Sequence, residues 1–276
     1  MKKLNYSILL NIILSAIIIV MAIVMIRTDR PPKVEAVTEK TIPSDEEVAK
    51  VEETISRGTI VLIIDDFGYR NDEISDGFLA LNAPITCAVI PGHRNTSSFA
   101  KKAIKAGKEV IIHMPMESHT DSPGEDDYTL KTSMTSNELE HRVQESYAHI
   151  PEAIGMNNHQ GSKATEDGRV MRILGLTLKD LGKFFIDSRT TANSIGEKTM
   201  TELGVKTRRR NVFLDNEFDP ALIHDQLIEL AEKSDRWGVA VGIGHAKQAT
   251  LSVLQNDIPE LKKAGYTFEF ASRVVR

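Results

Sequence analysis

The chain is 276 residues long, 41% hydrophobic and 26% charged, with a formal net charge of -5. These values are ordinary for a soluble globular fold of one large domain or two small ones, and the negative net charge gives no sign of a nucleic-acid partner, so none is expected. The lone Cys87 excludes an internal disulfide; beside Ile85, Ala88, Val89 and Ile90 it reads as a small buried hydrophobe.

The first element is a candidate membrane span. After Lys2 and Lys3 no charge occurs from Tyr6 to Ile26, and about 20 apolar residues suffice to cross a bilayer as a helix. A cleaved signal has a shorter apolar stretch of about 7–15 residues and a small-x-small site. No such site follows, so residues 1–27 are read as an uncleaved anchor with its N-terminus in the cytoplasm. The remainder then lies outside the cytoplasmic membrane, or is secreted if the segment is removed. Residues 28–57, with three prolines and many charges, read as an extracytoplasmic linker holding at most a short helix capped by Ser44.

The texture changes at Gly58. Short apolar runs, "TIVLII", "ITCAVI", "EVIIHM", "AIGMNN", "KFFIDS", "RNVFLD", "GVAVGIG" and "YTFEFA", are separated by longer segments. Helical spacing marks 95–107, 135–150, 166–182, 219–234 and 249–265. Continuous apolar strands alternating with helices indicate a parallel sheet covered by helices. Residues 58–276 are therefore expected to form a (β/α) barrel of about seven parallel strands.

In such a barrel the chemistry lies at the C-terminal strand ends. The first run ends in Asp65 and Asp66, the third in His113, the fourth reaches His159, the fifth ends in Asp187 and the seventh in His245. Groups of this kind are costly to bury singly; the fold would gather them at one mouth. Carboxylate and imidazole together suit a divalent cation, zinc above all, with one position left for a water that becomes the nucleophile. Adjacent strand residues point oppositely, so Asp65 and Asp66 should divide two roles, ligand and base or orienter. Asn158, Lys163 and Arg189 flank the strand ends and are candidates for polar substrate contacts. His93 and His119 sit in loops and are secondary candidates; His141, His149 and His224 fall in helical stretches.

The ordered set "IDDFG", "HMPME", "IGMNNHQGS", "FFIDSRTT", "NVFLD" and "GIGHA" resembles the divergent polysaccharide deacetylase family, a branch of the NodB-like carbohydrate deacetylases. The resemblance spans essentially all of 58–276. It implies a distorted (β/α) barrel with a divalent metal and removal of N-acetyl groups from a cell-envelope glycan. It implies Asp65 as base, Asp66 as metal ligand and His245 as general acid; Asp187 joins the catalytic set through its strand-end position. The wider family carries two metal histidines in one H-x-x-x-H segment. Here only His113 stands there, and the branch implies His159 as the second imidazole. Two other readings of the same residues are a catalytically silent module binding envelope glycan or protein, and a metal-free glycosidase working through paired carboxylates. The oligomeric state is not encoded in any of these features.

Overall fold

A computed structural model describes residues 57–120 and 124–276. The expected span and nearly all of the expected linker lie outside the described residues. Among the described residues, no helix is long and apolar enough to cross a membrane.

Among the described residues nine strands, all paired in parallel, form one sheet: β1 (Thr59–Phe67), β2 (Thr86–Val89), β3 (Glu109–Met116), β4 (Gly155–Gln160), β5 (Phe184–Asp187), β6 (Thr207–Arg209), β7 (Val212–Phe213), β8 (Val239–His245) and β9 (Thr267–Glu269). The order is β6-β5-β4-β3-β2-β1-β8-β7, with β9 on β1. β8 pairs along β1 from Thr59 to Asp65, so β2 and β9 share the opposite edge, β9 against Thr59–Val61 and β2 against Ile63–Phe67. Among the described residues no ladder joins β6 to β7, which leaves the curled sheet open there. The expected count of about seven is thus too low. β6 has Arg208 and Arg209 within its three residues, so no apolar run betrayed it.

The α-helices among the described residues are α1 (Glu73–Ala80), α2 (Thr96–Lys105), α3 (Ser136–His149), α4 (Gly168–Asp180), α5 (Gly196–Leu203), α6 (Pro220–Trp237), α7 (Gln248–Lys263) and the short α8 (Ala271–Val274). Local chemistry sets their starts. Thr135 and Glu138 close a capping box on α3; Asp72, Asp167 and Asp219 cap α1, α4 and α6, with Pro220 opening the last.

Two apolar layers follow from strand alternation. Ile60, Leu62 and Ile64 of β1 pack outward beneath the helices with residues such as Phe78, Phe99, Val143 and Leu230. Val61 and Ile63 face inward with Ala88, Ile111, Ile186, Val241 and Ile243. The bottom of this interior is stopped by α8: Ala271 N donates to Thr86 Oγ1 at 3.0 Å and Ser272 N to Glu109 Oε1 at 3.2 Å. The inward rows continue upward into the polar residues of the mouth.

Candidate active site

Asp65 extends the inward row of Val61 and Ile63, His113 that of Ile111, and His245 that of Val241 and Ile243. Beside them on β4 stand Asn157 and His159. Asp66 should point outward by the same alternation, but it does not. The register between β1 and β2 slips by one residue between Ile64 and Phe67, and Asp66 has φ +67°. A bulge with a left-handed residue re-aims the side chain, and aspartate tolerates that conformation better than most residues. Both carboxylates therefore meet the same nitrogen: His113 Nε2 lies 3.6 Å from Asp65 Oδ2 and 3.5 Å from Asp66 Oδ1. The expectation that neighbouring strand residues serve from opposite sides is corrected by this bulge, although their surroundings still differ.

One donor atom each from Asp66, His113 and His159 lies within 4.8 Å of the other two. His159 Nδ1 is 2.9 Å from His113 Nε2 and 3.5 Å from Asp66 Oδ1. Asp66 Oδ1 is buried without a hydrogen-bond partner. Burial alone would push Asp66 up; the His113 ring beside it, then His245 and His159, reverse this and hold it well below the usual carboxylate range. His159 is pushed down to about 3, by burial first and His113 second, so its ring is neutral at pH 7. An ionised, unpartnered carboxylate oxygen facing two imidazole nitrogens is a donor set that fits a divalent cation.

Asn157 ties this set to Asp65. Its Nδ2 donates to Asp65 Oδ1 at 2.8 Å, and its Oδ1 sits 2.8 Å from His113 Nδ1. The amide oxygen can only accept, so the proton of a neutral His113 is placed on Nδ1 and the Nε2 lone pair faces the cluster. Burial pushes Asp65 up, partly offset by His113, His245 and Asn157. Across the mouth, His245 Nε2 is 4.0 Å from Asp66 Oδ2, and its Nδ1 is 2.9 Å from Asp215 Oδ1. Asp215 is fully buried and also accepts from His245 N at 2.7 Å. Burial disfavours the charged ring, but Asp215, then Asp66 and Asp65, raise His245 to about 9. The Phe213 ring packs edge-on against it at 5.2 Å.

Four expected site residues stand elsewhere. Asp187 falls on the outward row of β5, because Phe184 and Ile186 take the inward one. Its carboxylate accepts from Arg189 N at 2.9 Å, Ser194 Oγ at 2.7 Å and Glu197 N at 3.1 Å, organising the loop that starts α5 rather than facing the cluster. Gly196 permits this closeness, since a Cβ there would lie 2.8 Å from Asp187 Oδ2. Asn158, one residue out of phase with Asn157, accepts from Ser188 N at 2.8 Å and donates to Gln160 O at 2.8 Å. Arg189 spends its guanidinium on the carbonyls of Ser194 and Ala192, and Lys163 pairs with Glu117 at 2.6 Å. Of the secondary candidates, His119 pairs with Glu166 at 3.1 Å on the surface, while His93 stands beside the cluster with Tyr69 and Glu125.

Asp215 and Asn157 were legible but unassigned. "NVFLD" ends in an aspartate like the other strands, and counting by two from Gly155 selects Asn157. Glu125 sits in a loop with no periodicity, and nothing in its neighbours marks it.

Residues 62–275 match the sequence model of the divergent polysaccharide deacetylase family. The uncharacterized protein YibQ of Escherichia coli is 35% identical over 204 residues, 74% of this chain and 63% of that protein, so the match spans less than two thirds of its length. An uncharacterized protein of Haemophilus influenzae is 32% identical over 208 residues, 75% of this chain and 74% of that one. The crystal structure of an uncharacterized protein from Agrobacterium tumefaciens superposes with a TM-score of 0.75 at 19% identity, covering 80% of this chain and 90% of that one, and so shares the fold.

Proposed function

The chain belongs to the divergent polysaccharide deacetylase family, and from that membership we propose that it is a metal-dependent hydrolase removing N-acetyl groups from a cell-envelope polysaccharide. The observation that carries this reading is the unpartnered, buried Asp66 Oδ1 facing His113 and His159, with Asp65 and His245 on either side. A divalent cation held by Asp66, His113 and His159, zinc being the best match to the donors, would polarise the acetyl carbonyl and favour ionisation of a water near neutral pH.

Every other step belongs to side chains of the chain. Asp65, raised by burial and held by Asn157, takes a proton from the water as its oxygen bonds to the acetyl carbon. His245, protonated at neutral pH with a value of about 9, gives the proton at Nε2 to the amide nitrogen as the C–N bond breaks. The products are acetate and the free amine. Asp215 holds the ring by Nδ1 and so points Nε2 toward Asp66 and the mouth. An amine is a poor leaving group unless protonated, so an acid poised this way suits an amide better than an ester.

The same proposal places the barrel, from residue 58 onward, outside the cytoplasmic membrane, tethered by the uncharged run from Tyr6 to Ile26 through the linker at 28–57. An envelope glycan is the substrate within reach of such a tether. Incubating the full chain, purified in detergent and loaded with zinc, with N-acetylated envelope glycans should release acetate, and Asp66→Ala should stop it. Zinc and glycan binding by the wild-type chain with no acetate released would reject hydrolysis and leave a binding module.

A further inference from the structure

We propose that Glu125 is a positioning residue for His159, fixing the ring so that Nδ1 is the nitrogen offered to a cation; this rests on the metal-dependent reading above. The two nitrogens of His159 have different surroundings. Nδ1 faces His113 Nε2 at 2.9 Å and Asp66 Oδ1 at 3.5 Å. Nε2 faces away from the cluster, 3.9 Å from Glu125 Oε2 and 3.3 Å from the side-chain amide nitrogen of Gln160. A neutral imidazole carries one proton and one lone pair, so Nδ1 can ligate only when the proton sits on Nε2. With the side chain 16% exposed, water reaches the ring only in part, and a protein acceptor beside that N–H favours this tautomer. Gln160 can turn either end of its amide toward Nε2 and so selects neither tautomer. The Glu125 side chain offers carboxyl oxygens to that N–H and carries no amide donor. At 3.9 Å the carboxylate acts on that N–H through its charge rather than as a hydrogen-bond partner.

Glu125 is held for this task from several directions. Its Oε1 takes the hydroxyl of Tyr69 and lies 3.1 Å from His93 Nε2, and these two rings, from the loops after β1 and β2, pack 4.0 Å apart. That leaves Oε2 turned to His159. Among the described residues its ionic partners are His93 and His159, with no lysine or arginine, although the side chain is only 8% exposed. Its backbone has φ +32°, and its carbonyl accepts from Tyr128 N at 2.8 Å and from Thr129 N and Oγ1 at 2.9 Å. Five residues on, Leu130 locks the loop to β3 through Pro115 O at 2.9 Å. A strained residue pinned this thoroughly is one whose position the surrounding structure over-determines.

The test titrates zinc into the full chain in detergent, comparing wild type with Glu125→Gln and Glu125→Asp, and reads the ¹⁵N shifts of the His159 ring in the zinc-loaded wild type. Loss of the orienting carboxylate should weaken zinc binding by about 10–100-fold in Glu125→Gln, with part restored in Glu125→Asp and the zinc-free thermal midpoint unmoved. The wild-type spectrum should show the proton on Nε2. Equal zinc affinity for wild type and Glu125→Gln, or a proton found on Nδ1, would overturn this inference alone. A wild-type chain that takes up no zinc would overturn the donor set, and this inference with it. Because the ring spectrum is read on wild type, a proton on Nδ1 overturns the inference even if a variant fails to fold.

Discussion

Replacing Asp215 by Asn should uncouple His245 from its charge. In the folded chain burial lowers this ring, while Asp215, bonded at 2.9 Å, followed by Asp66 and Asp65, together outweigh burial and bring it to about 9 against an ordinary 6.5. Asparagine removes the negative charge, and it sets an amide N–H₂ against donors that Asp215 now accepts, His245 N at 2.7 Å or the ring nitrogen. The ring should then titrate at or below 6.5. Protonated acid at pH 8 would fall from about nine tenths to about three hundredths, a loss of roughly 30-fold in acid-dependent turnover. The stability sign follows from the same shift: because the folded value is raised, the stabilisation is complete below 6.5 and is lost as pH rises through about 9. Its full size is about 3 kcal/mol, and the variant should lose its share below pH 6.5. The assay is the NMR titration of the His245 ring in cation-free wild type and Asp215→Asn, followed by the alkaline limb of kcat/KM on an N-acetylated glycan. A ring still titrating near 9 in the variant would refute the assignment of its charge to Asp215.

His113→Ala and His159→Ala should each bring bound zinc well below one equivalent by elemental analysis of the dialysed protein; full occupancy in both would remove them as ligands. Asp65→Asn should keep its zinc and its fold while acetate release falls by about 10²–10⁴-fold, and unchanged release would take Asp65 out of the reaction. Asp187→Ala should cost about 1–3 kcal/mol or more in denaturant unfolding, since one buried donor, Ser194 Oγ, and two part-buried ones, Arg189 N and Glu197 N, lose their acceptor, yet leave zinc content intact; loss of zinc without loss of stability would return Asp187 to the site. Protease added to spheroplasts should digest the barrel, and its complete protection would sink the proposed orientation of the anchor.

The parallel sheet and most helices were legible because apolar runs and helical spacing carry them, and the strand ends were legible because charge after a buried run is rare. The rest failed for specific reasons. β5 is buried on both faces, so "FFID" has no alternation to reveal that Asp187 points outward. On β4 the choice between Asn157 and Asn158 turns on phase alone, and the chemistry of two asparagines is identical. α1 and α5 are eight residues each, too short for spacing to separate from a loop. Glu125 reaches His159 from a loop, and loop geometry leaves no period in the sequence.

The strand at Asp65 and Asp66 ends in two charges because the bulge sends both to one ring and the neighbours then tell them apart. Asp66 keeps an oxygen with no hydrogen-bond partner, which suits a cation. Asp65 is joined instead to Asn157, which also faces His113 Nδ1. One residue therefore sets the state of the base and the tautomer of a ligand together, and its type follows from that double duty. An aspartate at position 157 would face Asp65 with a like charge across 2.8 Å. A leucine of similar size would leave a buried carboxylate oxygen and a ring N–H unpaired, at about 1–3 kcal/mol each and more for the charged one. A carboxamide presents a donor to one side and an acceptor to the other. With β3 and β4 in register at His113 and Asn157, the short carboxamide of asparagine spans from the β4 backbone to both partners, each at 2.8 Å.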